Sequence, residues 1–548
     1  MQPQQPQNKT AKQSDLLLEL GRRARLFHTP DGTAYADIEV SGYTETCPVR
    51  SRTFRDWLLV TYDDLYEGAP SNNAMKEALD TLDARARLRG EEHEVFLRLG
   101  THDGALYLDM CNEARQVIEA SRNGWQIIPA DNAPVRFRRT PEMLERPLPT
   151  PRRDGSLDML FKVLNVSDED DKVLIKGFLL GLLHPTGPYP GLALYGEQGS
   201  AKSSTARYLR QVIDPTSALV TGEPRDAETI ALQANANWVP VFDNVRTIRD
   251  WLSDALCRLS TGSAYNKRTH YENTDLTVVK SKRPFILTSI ADAVQNPDLI
   301  NRVLTVRLPV IPTDKRKSED ATDAEFAAKH PYILGALLDA AVAALAGYRD
   351  LELDELPRMA DLAKWVTAAE PAMGLEPGTF IRAYAGNETD AYEAAINANL
   401  VAQAIIRFME NQDSWTGTPA SLYTILSKQE SDQFGKRPNG WPGAPQWMSN
   451  KLSEAAPALR AKYGIDVRRQ SIGSDRGLRL ERLDLDDQED SKKEIPDATD
   501  DISPLFSFRA RREEKEKEKE KARTVASVSS VASADDDWDD EDDYSEIF

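Results

Sequence analysis

The stretch LALYGEQGSAKSSTARYLRQV, residues 192–212, constrains the fold more than any other part of the chain. An apolar run long enough for one strand leads into a loop of Gly196, Glu197, Gln198, Gly199, Ser200, Ala201, Lys202 and Ser203, and Ser204 opens a helix-forming run behind it. The loop fits the phosphate-loop spacing G-x-x-x-x-G-K-[ST] except at Ala201, which stands where the second glycine belongs. Such a loop works because successive backbone N–H groups point inward at phosphate oxygens, at the positive end of a helix. In that role Lys202 reaches the β and γ phosphates of a nucleotide such as ATP, and the Ser203 hydroxyl ligates Mg2+. Gly199 is the residue expected to need unusual dihedrals. Ala201 sits where the backbone is already entering the helix, so its methyl is expected to fit without a positive φ.

The surroundings suit such a loop. Strands alternate with helices from GLALY onward, through ALVTG, a helix near 226–236, WVPVF, a helix over 248–260, RPFILTS and VLTVRLPV, which implies an α/β domain with a mostly parallel sheet. WVPVFDNV is an apolar strand ending at Asp243, placed to hold the magnesium through water. RPFILTSI is a second buried strand ending in Thr288 and Ser289, able to bring a hydroxyl near the γ-phosphate or its attacking water. Arg302 follows in NPDLINRVLTVRLP, where a guanidinium could reach the phosphates of a neighbouring subunit.

LYGEQGSAKSS, FDNV, SDALCRLSTG, RPFILTSI, PDLINRVL, ILGALLDA and LPRMADLAKW together resemble the AAA+ ATPases of the superfamily 3 helicase type. More closely, they are similar to ATP-binding, primase-helicase-like proteins of bacteriophages and mobile elements. The resemblance covers roughly residues 155–395. It implies ATP hydrolysis in a homo-oligomeric ring with DNA at its centre, with Lys202 and Ser203 in the phosphate loop, Asp243 at the metal, Thr288 as first sensor and Arg302 as arginine finger. One departure bears on turnover: Asn244 stands where many of these enzymes carry a glutamate. Asparagine orients water but cannot accept its proton; Glu197 in the loop is a candidate to compensate.

The segment AYNKRTHYENTDLTVVKSKR places Lys267, Arg268 and His270, with Lys280, Lys282 and Arg283, on a basic hairpin. Superfamily 3 helicases carry a Lys and a His into the central channel here, and Lys267 with His270 is similar in kind. The hairpin reads either as a grip on single-stranded DNA phosphates, with Tyr265 or Tyr271 stacking on bases, or as a solvated loop. The formal net charge of -20 does not exclude a nucleic-acid partner, because nine of the acids lie between Asp535 and Phe548. That tail, ending Ile547-Phe548, reads either as a docking peptide for a replication partner or as a solubilising segment.

The fold class expected is α/β: a phosphate-loop AAA+ core with a parallel sheet and helical extension, preceded by an α+β domain and followed by a winged-helix-like domain. The boundaries are 1–15 disordered, 16–140 α+β, 141–155 linker, 156–315 ATPase core, 316–396 helical subdomain, 397–483 winged-helix-like and 484–548 disordered. Within these, NEARQVIEAS reads as a helix, 156–183 as two helices, and Trp447 and Leu452 as core residues of PQWMSNKLSEAAPAL, the candidate recognition helix beside Arg468, Arg469, Arg476, Arg479 and Arg482. The linker arginines read either as contacts to nucleic acid or, the preferred reading, as part of a solvated linker. Three scattered cysteines and no run approaching ~18 apolar residues point to a reducing cytoplasm and away from a membrane. The expected activity is that of an ATP-dependent DNA motor, a replicative helicase, with a nucleotide-binding switch or loader as the alternative.

Overall fold

The computed structural model describes residues 12–151, 155–218, 220–262, 265–268, 276–279, 281–472 and 475–483. A four-stranded parallel sheet organises the centre, in the order Val241–Phe242, Phe285–Ser289, Gly191–Tyr195, Val303–Arg307. Its strands are apolar without alternation because both faces are covered. Leu192, Leu194, Ile286, Leu304 and Val306 face the helices Glu169–Gly181, Lys202–Ile213 and Glu319–Gly347. Ala193, Tyr195, Phe285, Leu287 and Val303 face the helix Asp250–Thr261 and the C-terminal helices. The register pairs Tyr195 with Ser289 and Arg307, and Gly191 with Phe285 and Val303, so the carboxyl ends of the strands share one edge. Ligands of open α/β sheets bind at that edge.

Two local expectations fail here for visible reasons. ALVTG contributes only the single bridge Thr221 to Phe242, because Gly222 and Pro224 follow at once and Pro cannot donate to a ladder. Of the two helices expected over 156–183, Leu157–Lys162 is a 3-10 turn and only Glu169–Gly181, capped by Asp168, is α.

The helix Glu319–Gly347 has 29 residues and is apolar enough to cross a membrane by length and composition, yet 56% of its most apolar window is buried within the protein. Against it lies an antiparallel meander of Leu99–His102, Ala105–Asp109, Gln116–Ser121 and Gly124–Pro129. Leu106, Leu108, Ile118 and Ala120 share the core of Leu334, Leu337 and Phe178, and Trp125 Nε1 donates to Asp339 Oδ1 at 2.8 Å. NEARQVIEAS is therefore a turn and a strand, not a helix: Asn112 Oδ1 accepts from Gln116 N at 2.9 Å, and pairing on both sides outweighs the local helix preference. The rest of the N-terminal region has its own core, where Leu17, Phe54, Leu58 and Leu82 fill the space between the sheet of Tyr43–Pro48, Ala34–Val40, Arg25–His28 and Glu91–Glu92 and its helices.

The proline-rich residues 138–151 form a strap on the core. Leu144 N donates to Pro215 O at 3.0 Å and Thr150 N to Pro331 O at 2.9 Å. Gly335, inside the long helix, makes room for the strap: a Cβ there would lie 1.7 Å from Thr150 O. The arginines of this segment are engaged internally rather than solvated. Arg139 pairs with Asp109 at 2.5 Å, Arg138 donates to Asn235, and buried Arg146 donates to Ile213 O. Burial, with the charge of Arg98 beside it, pulls Arg146 down to about 9. Arg152 and Arg153 lie outside the described residues.

At the C-terminal end, the helices Leu400–Met409, Pro419–Phe434 and Pro445–Tyr463 pack with a sheet in the order Ser414–Gly417, Asp475–Arg482, Ile465–Ile472. The hairpin was legible in the sequence; the short Ser414–Gly417 strand was not. Leu452 is buried, as expected, but Trp447 is 65% exposed, because it lies one helical position away from the inward row of Met448, Leu452 and Ala455.

Candidate nucleotide site

The strand Gly191–Tyr195 delivers the chain to residues 196–201, and the helix Lys202–Ile213 carries it away. A Cβ on Gly196 would lie 2.6 Å from both Leu308 O and Ser200 Oγ, so only glycine fits. Gly199 has φ +87°. Ser200 is buried and its hydroxyl donates to Glu197 O at 2.9 Å. Glu197 and Gln198 are exposed, and Ser204 is half-buried on the first helical turn.

Ala201 departs from expectation. It adopts φ +62° and ψ +32° as the N-cap of the helix, a left-handed conformation. The second glycine of this motif answers a backbone requirement that Ala201 meets under strain, at a cost of roughly 1 kcal/mol. Ala201→Gly should therefore stabilise the protein by about 0.5–1 kcal/mol, read from urea unfolding midpoints; a destabilised variant would refute the strain.

Lys202 folds back over the loop, donating to Gly196 O at 2.7 Å and Glu197 O at 2.8 Å. Burial pulls its ammonium below the usual value, opposed by the charge of Asp243. At the mouth of the loop, three residues far apart in sequence converge. Ser203 Oγ donates to Asp243 Oδ1 at 2.8 Å, and Thr288 Oγ1 donates to the same oxygen at 2.6 Å. Thr288 Oγ1 also accepts from Asn244 N at 2.9 Å, which fixes the turn after the strand Val241–Phe242. Asn244 is exposed and has φ +56°. Asparagine tolerates that left-handed conformation better than glutamate does, so its presence there has a backbone reason.

Arg302 is not brought to this cluster. Arg302 O accepts from Gly191 N at 2.9 Å, at the amino edge of the sheet and about 16 Å of strand from the loop. Its guanidinium pairs with Asp298. Lys267 and Arg268 lie on the strand Tyr265–Arg268, paired antiparallel with Leu276–Val279. His270 and Lys280 lie outside the described residues, as do Ile547 and Phe548. Two other cations of the basic segment turn inward instead. Lys282 Nζ donates to Thr186 O at 2.8 Å, and Arg283 donates to Ala234 O at 3.1 Å over the ring of Trp238; burial pulls Arg283 down to about 10.

Two supporting residues carry no signal in the sequence. Asn165 Nδ2 donates to Ser200 O at 3.1 Å and to Pro309 O at 2.5 Å, tying the loop to the chain beyond the last strand. Thr221 accepts from Asp243 N at 2.7 Å and holds the carboxylate's backbone. Both act through contacts between segments distant in sequence, which no spacing rule announces.

Residues 157–391 match a family profile described as actinomycete integrative conjugative element replication protein, abbreviated RepA. The chain matches a mobile-element replication family. Residues 401–494 match the profile of the RepA C-terminal domain. The RepA match contains the loop, Asp243, Thr288 and Arg302. No curated protein matches the chain. Among solved structures, the apo C-terminal region of NrS-1 is similar over 86% of this chain and 98% of its own, at 10% identity and a TM-score of 0.36. A protein described as SCCmec type IV Cch, an active helicase, is similar over 83% of this chain and 92% of its own, at 13% identity and a TM-score of 0.40. At these scores neither likeness carries a functional conclusion.

Proposed function

We propose that the loop 196–203, with Ser204, Asp243, Asn244 and Thr288, binds ATP with Mg2+, and that the chain is an AAA+ motor acting on DNA during replication of a mobile element. The observation that carries this reading is the convergence of Ser203 and Thr288 on one oxygen of Asp243, beside Lys202. The hydroxyl and carboxylate are hard oxygen donors of the kind magnesium takes. Among the described residues no group of three or more His, Cys, Asp or Glu side chains could hold a metal alone, so the ion would arrive with the nucleotide phosphates. Bound there, it would supply charge neutralisation at the phosphoryl oxygens. Lys202 would turn from the loop carbonyls to the phosphates, Asp243 would keep the Ser203 hydroxyl oriented, and Thr288 would hold Asn244 at the attacking water.

The match to a replication family supports DNA as the substrate. The strand carrying Lys267 and Arg268, together with His270, would grip single-stranded DNA in a ring, in which Arg302 would face a neighbouring subunit. Residues 397–483 would act as a winged helix, and a cytoplasmic location follows from the role. Asn244 favours a second reading, a switch or loader that binds ATP with little turnover, since an amide cannot take a proton from water.

ATP turnover with and without single-stranded DNA, together with strand displacement, separates the two. A motor shows DNA-stimulated turnover and unwinding, both lost in Lys202→Ala; ATP-dependent assembly on DNA without turnover would establish the switch. Equal nucleotide binding by Lys202→Ala and the natural chain would sink both.

A further inference from the structure

The chain leaving the strand Val303–Arg307 runs back across the loop. Leu308 N donates to Tyr195 O at 2.8 Å, and Ile311 N donates to Gly199 O at 3.2 Å. A 3-10 turn, Thr313–Lys315, then reverses the chain. This brings Arg316 to the crown of the loop: Nε donates to Ile311 O at 3.3 Å, and Nη2 lies 3.3 Å from where a Cβ on Gly199 would sit.

Arg316 differs from three cations that flank it in sequence. Arg302 pairs with Asp298, Arg307 with Asp292 at 2.8 Å, and Lys317 with Glu325 at 2.7 Å. Among the described residues no carboxylate pairs with Arg316, which is exposed. A planar guanidinium with free N–H groups, held by its own backbone turn beside a loop built for phosphate, matches a pair of phosphate oxygens.

We propose that Arg316 contacts the terminal phosphates of the nucleotide held by its own chain. This rests on the nucleotide reading of the loop. Arg316 supplies, from the same subunit, positive charge that Arg302 at the far edge of the sheet does not. The contact also reaches the long helix, because Ser318 caps Glu319–Gly347 two residues later and Arg207 of the loop helix holds Glu319 at 2.8 Å and Asp323 at 2.7 Å.

The test is calorimetric binding of ATP and ADP, with magnesium, to the full chain and to Arg316→Ala, Arg316→Gln, Lys315→Ala and Lys202→Ala. Both Arg316 variants should bind ATP about tenfold more weakly, with a smaller loss for ADP. Their nucleotide-free melting midpoints should be unchanged, and Lys315→Ala should bind as the natural chain does. Natural ATP affinity in Arg316→Ala, with affinity lost in Lys202→Ala, overturns the proposal and leaves the nucleotide reading standing. Equal losses for ATP and ADP, or a lowered melting midpoint, also overturn it. Natural affinity in both Arg316→Ala and Lys202→Ala overturns the nucleotide reading as well.

Discussion

Asp243→Asn should abolish the gain in ATP affinity that magnesium confers and cut any ATP turnover by about a hundredfold or more, with the fold intact. The amide oxygen of asparagine can accept both hydroxyl bonds that Asp243 Oδ1 accepts, from Ser203 at 2.8 Å and Thr288 at 2.6 Å. Geometry is therefore retained while the negative charge is lost. The unfolding free energy should stay within about 0.5 kcal/mol of the natural protein's, as for substitutions that leave packing and buried bonds in place. Titrating magnesium at fixed ATP, and following phosphate release with the same samples, separates charge from structure. A variant that responds to magnesium as the natural chain does would remove Asp243 from the metal role.

Asp214→Ala should be the most destabilising single change near the site, by about 3–5 kcal/mol. Asp214 is 1% exposed and ends the loop helix. Oδ1 accepts from Arg98 Nε at 3.0 Å, and Oδ2 accepts from the backbone N–H of Trp238 at 3.0 Å and Val239 at 3.1 Å. Arg98, fully buried, also donates to Leu144 O at 2.8 Å and to Pro215 O. Removing the carboxylate strands the Arg98 charge in the interior and frees two amides, a cost well above that of one lost contact. The exposed pair Arg25 and Glu91, at 2.8 Å, is the contrast: Arg25→Ala should cost under about 1 kcal/mol. Urea unfolding of the two variants side by side measures the difference; equal losses would show that the buried carboxylate is no hub.

The strand, loop and helix around Lys202 were legible because their chemistry is local: a buried apolar run, two glycines and a Lys-Ser pair in fixed spacing. The alternation of strands and helices was legible for the same reason. Spacing also flagged Asp243 and Thr288, since each ends an apolar run. What escaped depends on contacts between distant segments. Proline content reads as an exposed connection, but at 138–151 it marks an extended strap whose few donors find partners on the core. Gln116–Ser121 carries helix-forming residues and becomes a strand because two neighbours pair with it. Ala201 was expected in a relaxed conformation, yet it takes a positive φ in a loop that is itself tied, through Tyr195 and Gly199, to Leu308 and Ile311 over 100 residues away. Trp447 was expected in the core, and its exposure follows from one step of helical phase.

The seam between the meander and the long helix bears on how such a gene can change by recombination. Trp125 and Asp339, Gly335 and Thr150, and Arg98 and Asp214 are matched pairs whose members lie on opposite sides of the proline-rich strap or at its end. A crossover between residues 151 and 155 would join one lineage's meander and strap to another's helix and separate all three pairs. Foreign N-terminal halves should therefore be inherited only with compensating changes at positions 214, 335 and 339, so these positions should vary together with residues 98, 125 and 150 rather than with the residues of the loop.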